Sequence, residues 1–235
     1  MAPWLDRAWT ATAALLWPAR CVGCGRRDAA LCAACWAALP RLRPPLCPRC
    51  SKPERSGAPC LDCRRREPAL AAVRAPCAYS GAVAAAIRRL KYRQERHLAE
   101  LLAQLLLECL TARPLAIDAL VPVPLDRDRA RWRGFNQAVL LAGPVAIALD
   151  RPLLPTVLHR TRRTRPQVGL SARERHANLH DAFACVDRAA VAGRRLVLVD
   201  DVMTTGATLE ACAVALRAAG AARVFGLVVA RDMLE

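Results

Sequence analysis

Four C-x-x-C units between Cys21 and Cys63 constrain this chain more than any other feature of its sequence. Two thiolates separated by two residues hold one tetrahedral ion from a tight turn, so two such turns complete a four-sulfur zinc site. Four units therefore predict two sites, and four sulfur ligands leave no open position for a substrate, which makes both sites structural. The predicted zinc ligands are Cys21, Cys24, Cys32, Cys35, Cys47, Cys50, Cys60 and Cys63.

The pairing of the four units is less constrained than the identity of the ligands. A proline-rich connector, LPRLRPP at 39–45, separates the second unit from the third and favours sequential pairing into two self-contained ribbons. Spacing alone leaves open an interleaved arrangement in which the first and third units share a metal. Disulfides are the alternative to metal, but the regular spacing favours zinc, and the apolar N-terminus lacks the basic cluster and cleavage site of a signal peptide.

The charge of the chain indicates a phosphate-bearing partner. The formal net charge is +16, and Lys52 and Lys91 are the only lysines among 36 basic residues. Arginine pairs with phosphate oxygens through two parallel hydrogen bonds, so an arginine surplus suits nucleic acid or phosphorylated ligands. A coding bias would explain arginine in place of lysine but not the surplus over acidic residues. No apolar run reaches the length of a membrane span, and we expect a cytoplasmic protein.

The remainder of the chain is predicted to be an α/β domain with a mostly parallel sheet. Strand-like runs such as DALVPVP and RRLVLVDD alternate with helical patterns, including one that Asn136 is expected to cap and one that Gly220 is expected to close. Such alternation predicts a sheet covered by helices on both faces, with ligands at the carboxyl ends of its strands. The predicted organisation is an N-terminal helix at 1–18, a double zinc ribbon at 19–68 and the α/β domain at 69–235.

The stretch LVLVDDVMTTGAT, at 196–208, combines a buried strand, two carboxylates and a turn of small residues. The turn lacks the Gly-Lys-Ser/Thr ending of a Walker A loop, but its amides and hydroxyls face the positive end of the next helix and are suited to a phosphate. Carboxylates accept hydrogen bonds from sugar hydroxyls. The predicted ligand is therefore a phosphorylated sugar, bound by Asp200, Asp201, Thr204, Thr205, Gly206, Ala207 and Thr208.

This stretch resembles the phosphoribosyl-pyrophosphate (PRPP) motif of type I phosphoribosyltransferases. A cysteine-pair ribbon followed by LKYR, DALVPVP, RGFNQA and RTRPQVGLSARERHANL resembles the ComF family of competence proteins, whose relatives include the GntX type. The resemblance implies that Asp200 and Asp201 hold the ribose hydroxyls, that Thr204–Thr208 bind the 5-phosphate, and that PRPP binds with Mg²⁺. It also implies a pyrophosphate-side loop at 121–137, with Arg133 as an anion contact, and a mobile hood at 160–178.

Two function hypotheses follow from the residues and the resemblance. The first is a competence factor that binds single-stranded DNA during natural transformation, with the DNA-uptake helicase machinery as a possible partner. The second is an active phosphoribosyltransferase with an unknown amine or base acceptor. Trp132, between Arg131 and Arg133, is a candidate for stacking on a base, with packing as the alternative. The arginines that would contact either pyrophosphate or nucleic acid are Arg160, Arg162, Arg163, Arg165, Arg173 and Arg175.

Overall fold

The computed structural model describes residues 20–27, 29–65, 68–161 and 182–233. The predicted N-terminal helix at 1–18 lies outside the described residues. So do five of the six candidate arginines, namely Arg162, Arg163, Arg165, Arg173 and Arg175. Within the described residues, no helix is long and apolar enough to cross a membrane.

The elements alternate along the chain as the sequence predicts. The helices are α1 (Ala33–Ala37), α2 (Leu61–Arg64), α3 (Gly81–Arg93), α4 (Leu98–Ala112), α5 (Arg127–Arg133), α6 (Gln137–Leu149) and α7 (Ala207–Ala218). The strands are β1 (Leu70–Arg74), β2 (Cys77–Ala78), β3 (Ala119–Pro122), β4 (Leu158–Arg160), β5 (Phe183–Cys185), β6 (Arg195–Met203) and β7 (Arg223–Arg231). Asn136 caps α6 as predicted, because its side-chain oxygen accepts a hydrogen bond from the Ala138 amide at 3.0 Å.

A parallel sheet in the order β1, β7, β6, β3 forms the centre of the larger domain, and β2 pairs with the end of β7. Helices α3, α4 and α6 pack on one face against Val197 and Val199 of β6. Helix α7 packs on the other face, where Leu196 and Leu198 point. This confirms the predicted α/β class with helices on both faces, which follows from the burial of β6 on both sides.

Two elements differ from the sequence interpretation. The FACV strand, β5, does not join the parallel sheet but pairs antiparallel with β4. The segment expected to be a pyrophosphate-side loop contains helix α5. Its sequence, RDRARWR, shows no apolar periodicity, and the helix is instead defined at its ends by Asp126, which accepts from the Asp128 amide at 3.1 Å, and by Gly134 in the left-handed region.

The connector between the two ribbons lies along the edge of the larger domain. Arg41 forms an antiparallel bridge with Cys77. On either side of this bridge, the Leu42 amide donates a hydrogen bond to the Pro76 carbonyl, and the Ala78 amide donates one to the Pro40 carbonyl. The Arg41 guanidinium also pairs with Glu108 of α4 at 2.7 Å. The connector is therefore fixed to the domain that follows it.

Candidate functional site

Strand β6 delivers two carboxylates to the carboxyl end of the sheet on opposite faces. Side chains alternate along a strand, so Asp201 shares the face of Val199, and Asp200 shares the face of Leu198. Asp201 is buried, with 3% of its surface exposed, and Asp200 is half-buried. The backbone between them is tightened because Asp200 Oδ1 accepts a hydrogen bond from the Asp201 amide at 2.8 Å.

Lys91, in the last turn of α3, supplies a positive charge to this acidic pair. Its Nζ lies 2.5 Å from Asp201 Oδ2. Burial alone would lower the pKa of Lys91, but the charge of Asp201 and the hydrogen bond to it raise the pKa, so the ammonium stays charged. The sequence interpretation did not assign a role to Lys91. The available signal was the retention of a lysine in a chain that uses arginine almost everywhere else.

The pKa of Asp200 lies well above the ordinary value of an aspartate. Burial and the neighbouring charge of Asp201 raise the pKa of Asp200 to about 8, although Lys91 acts in the opposite direction. The raised pKa favours the protonated form of Asp200 near neutral pH when no ligand is bound. A cation or a set of hydroxyl donors at this position would favour the ionised form and release that proton.

The turn after β6 leads into α7 through a glycine that another residue could not easily replace. Gly206 has a φ of 81°, in the left-handed region, and a Cβ there would lie 3.4 Å from Met203 Sδ. Thr205 Oγ1 accepts from the Ala207 amide at 3.4 Å, which closes the turn at the first residue of the helix. The turn thus presents backbone amides at the positive end of an α-helix, the geometry that favours an anion.

These groups meet in one cleft with a volume of about 620 Å³. The predicted site residues that line it are Asp200, Asp201, Thr204, Gly206, Ala207, Thr208 and Arg160. Asp126, Asp128, Arg129 and Gln137, from the segment expected to be the pyrophosphate-side loop, also line it, as do Tyr79, Lys91 and Asp232, for which the sequence predicts no role. The cleft therefore carries carboxylates from the end of β6 and from the start of α5, together with cations from α3, α5 and β4.

Arg133 and Thr205, both predicted to contact the ligand, are not among the residues that line the cleft. Arg133 is buried, with 4% of its surface exposed, and donates to Gln137 Oε1 at 2.5 Å. Its guanidinium carbon also lies 5.6 Å from the centre of the Tyr92 ring. Since Gln137 lines the cleft, Arg133 contacts a lining residue from behind rather than facing the cavity.

Each set of four cysteines forms one cluster, which decides the pairing that the spacing left open. Cys21, Cys24, Cys32 and Cys35 gather in one cluster, and Cys47, Cys50, Cys60 and Cys63 gather in the other, so the pairing is sequential.

The sulfur geometry fits zinc. The Sγ atoms of Cys21 and Cys24 each lie 3.7 Å from Cys32 Sγ, and Cys50 Sγ lies 3.7 Å from Cys60 Sγ. A tetrahedral ion with metal–sulfur bonds of about 2.3 Å requires nearly this separation. All twelve cysteines are free of disulfides. The two clusters are zinc-binding sites, as predicted.

Comparison with known proteins agrees with both parts of the molecule. The double zinc ribbon domain matches residues 12–64, and the phosphoribosyl transferase domain matches residues 136–233. The DNA utilization protein YhgH of Escherichia coli K12 is 37% identical over 200 residues, which cover 83% of this chain and 87% of that protein. Competence protein F of Haemophilus influenzae is 34% identical over 212 residues, covering 86% and 92%. The chain belongs to the ComF family.

More distant similarity extends to another member of the ComF family and to one solved enzyme. Competence protein ComFC of Bacillus subtilis is 28% identical over 190 residues, covering 78% of this chain and 76% of that protein. The structure of the allosteric regulatory enzyme of purine biosynthesis is 24% identical with a TM-score of 0.37, and the match covers 55% of this chain and 25% of that enzyme.

Proposed function

We propose that the cleft binds PRPP together with Mg²⁺, and that the protein binds single-stranded DNA in a pathway of DNA uptake or utilisation. The observation that carries the first part is the meeting of Asp200, Asp201 and the Thr204–Thr208 turn in one cleft. Carboxylates accept from ribose hydroxyls and favour Mg²⁺, while helix amides favour a phosphate. The names of the relatives, DNA utilization protein and competence protein, support the second part.

The charges of the cleft match the parts of PRPP. A sugar phosphate carrying a pyrophosphate has hydroxyls at its centre and anionic groups at both ends. The cleft brings the acidic pair of β6 and the amide-rich turn before α7 together with the cations Lys91, Arg129 and Arg160, and it is also lined by three further carboxylates, Asp126, Asp128 and Asp232. Mg²⁺ held by the pyrophosphate and ribose oxygens needs few protein ligands, and Asp200 and Asp201 are suited to contact it.

Transfer of the phosphoribosyl group from PRPP to an acceptor stays a prediction. A cytoplasmic location also stays a prediction.

A thermal-shift titration tests the PRPP site. We expect Mg-PRPP to raise the Tm of the full-length protein, because a ligand that binds only the native state stabilises it by mass action. Asp200→Asn should weaken this binding by about tenfold or more, which is the usual scale for a charge-assisted contact. The matched control is Asp118→Asn, which removes a carboxylate from the opposite end of β6, where Asp118 pairs with Arg195 at 2.7 Å. That variant should lose stability but keep its affinity for Mg-PRPP.

The raised pKa of Asp200 gives the same site a pH signature. Because the pKa is about 8 without ligand, Mg-PRPP must displace a proton from Asp200 at lower pH. Affinity should therefore rise with pH up to about 8, by as much as tenfold per unit, and calorimetry in buffers of different ionisation enthalpy should report proton release. In Asp200→Asn the proton release from residue 200 should be absent, and only protons exchanged by the ligand itself should remain. An unchanged proton count in that variant, or no binding by the wild type, would reject the proposal.

A further inference from the structure

Two aromatic rings lie together on the surface near the cleft. Tyr92, in the last turn of α3, is 60% exposed, and Trp132, in the last turn of α5, is 63% exposed. Their ring centres are 6.1 Å apart with an angle of 51° between the planes. Among the described residues, these are the only aromatic side chains that are mostly exposed. We call them the aromatic pair.

The aromatic pair is held in place by buried groups rather than by a hydrophobic patch. Arg133, next to Trp132, is buried and places its guanidinium carbon 5.6 Å from the Tyr92 ring centre. Gln137 fixes that guanidinium at 2.5 Å. Tyr92 therefore contacts a fixed guanidinium, Trp132 contacts Tyr92, and both rings stay mostly exposed, so a planar ligand can stack on them with a limited loss of side-chain entropy.

The two segments that carry the aromatic pair are strongly basic. Between residues 88 and 97 and along α5, the exposed cationic side chains are Arg88, Arg93, Arg96, Arg127, Arg129 and Arg131. The exposed acid in the same two segments is Asp128, while Glu95 is half-buried and pairs with Arg89 at 2.7 Å. Aromatic faces surrounded by arginines suit a polyanion whose bases are unstacked, since the rings take the bases and the cations track the phosphates.

The position of the aromatic pair connects it to the cleft. Tyr92 directly follows Lys91, whose Nζ contacts Asp201, and Trp132 lies on the helix that supplies Asp128 and Arg129 to the cleft lining. We propose that Tyr92 and Trp132 form a stacking site for the bases of single-stranded DNA at the edge of the PRPP-type cleft. This inference rests on the single-strand binding contained in the proposed function and assigns residues to it.

Fluorescence anisotropy with a labelled oligothymidylate at low salt tests the stacking site. Removing one base–aromatic stack weakens single-strand binding by about 5- to 100-fold, and we expect this for Trp132→Ala and for Tyr92→Ala. Trp132→Phe keeps a ring and should keep most of the affinity. The matched control is Ile147→Ala, which truncates an apolar side chain that is 83% exposed on α6, outside both segments. It should bind as the wild type does.

Two further measurements separate stacking from charge. The slope of log affinity against log salt reports phosphate contacts, so Trp132→Ala should bind more weakly with an unchanged slope, whereas Arg131→Gln should reduce the slope by about 0.7 if it contacts one phosphate. An oligonucleotide with abasic sites should bind the wild type about as weakly as oligothymidylate binds Trp132→Ala. The Mg-PRPP thermal shift of both ring variants should equal that of the wild type, which shows that they are folded.

The outcomes distinguish this inference from the proposed function. If the wild type binds no oligonucleotide at low salt, single-strand binding fails and the stacking site fails with it. If the wild type binds but Trp132→Ala and Tyr92→Ala bind equally well, or if the abasic strand binds as tightly as oligothymidylate, the stacking site alone is rejected and DNA is held by its phosphates. If the aromatic pair instead binds a protein partner, the ring variants should bind DNA as tightly as the wild type, and removing the bases should not weaken binding.

Discussion

The two zinc ribbons repeat one local geometry in two different surroundings. In each, the amide of the first cysteine donates a hydrogen bond to a backbone carbonyl across the turn. Cys21 donates to the Arg26 carbonyl at 2.8 Å, and Cys47 donates to the Lys52 carbonyl at 2.7 Å. In each, the third cysteine donates its amide to the sulfur of the first, at 3.4 Å in one ribbon and 3.3 Å in the other. A short helix then begins after that third cysteine. The ribbons are therefore two copies of one unit.

The second ribbon is hydrogen-bonded into the α/β domain. Ser51 is fully buried, donates to the Val73 carbonyl at 2.8 Å and accepts from Arg113 at 3.1 Å. Arg231, at the end of β7, donates to the Cys50 carbonyl at 3.0 Å. The Val73 amide donates a hydrogen bond to the Arg49 carbonyl at 2.6 Å. Polar groups of the ribbon and of the sheet thus satisfy one another, which makes the second ribbon part of the domain.

The first ribbon is attached mainly by apolar packing. Val22, Ala30, Leu31 and Trp36 lie partly buried against the core that contains α3 and α4. Among the described residues, the side-chain hydrogen bond from the domain to this ribbon is longer, from Arg89 to the Arg20 carbonyl at 3.5 Å. Position 25, which corresponds to Ser51 in the second ribbon, is a glycine with no atom within 4 Å of where a Cβ would lie. Because Cys21 is the one buried residue among residues 20–27 and 29–38, we expect the first ribbon to unfold locally.

Removing one zinc site at a time gives the largest expected difference between the ribbons. Cys47→Ser and Cys21→Ser each should leave one zinc per chain, measured by metal analysis, because each removes a buried ligand from one site. Loss of the second site should lower the Tm by about 10 °C or more, since metal binding there is coupled to folding of the domain. Loss of the first should lower it by about 4 °C or less. Equal decreases would show that the two ribbons are equally coupled.

A smaller difference is expected from the arginines that join each ribbon to the domain. Arg231→Leu leaves the Cys50 carbonyl without its donor, so we expect a loss of about 2–3 kcal/mol in the free energy of unfolding, measured with urea. The matched change is Arg89→Leu, which removes the link to the first ribbon and a partly exposed ion pair with Glu95. It should cost about 1 kcal/mol or less. The reverse order would contradict the assignment of the second ribbon to the domain.

The contrast between the ribbons also shows what the sequence can predict. The zinc ligands, the strand–turn–helix around Asp200 and the cap at Asn136 are local patterns, and each was predicted correctly. The pairing of the cysteines depends on how two turns meet in space, which spacing does not determine. The prolines of the connector favoured sequential pairing, but only the clusters decide it.

Other features depend on long-range packing and were beyond the sequence. The contact between Lys91 and Asp201 joins the end of α3 to the end of β6, and no local pattern reveals it. Ser51 stands where the first ribbon has Gly25. In the structure Ser51 adopts a φ of 59°, and its two hydrogen bonds to the domain offset the cost of that conformation. The residue type after the second cysteine therefore depends on its hydrogen-bond partners in the domain as well as on the backbone conformation of the turn.

Substitutions at position 51 measure that compensation. Ser51→Ala keeps the strained backbone and loses both hydrogen bonds, so we expect a cost of about 2 kcal/mol in urea unfolding. Ser51→Gly loses the same bonds but relieves the strain, so about 1 kcal/mol is expected. Arg113 retains its bond to the Ala75 carbonyl at 2.9 Å in both variants, which limits the loss. If Ser51→Gly were the more costly variant, backbone strain at this position would be negligible.

The smallest effect is expected from Gly25→Ala, the corresponding change in the first ribbon. Gly25 has a φ of 74°, and the new methyl group would meet no neighbouring atom, so the cost of about 1 kcal/mol is backbone strain alone. If the first ribbon unfolds locally, this strain does not reach the domain and the Tm stays nearly unchanged. The strain should instead lower the apparent zinc affinity of the first site by about fivefold, measured by competition with a chelator. A decrease in Tm as large as that of Ser51→Ala would mean that the first ribbon is as tightly coupled as the second.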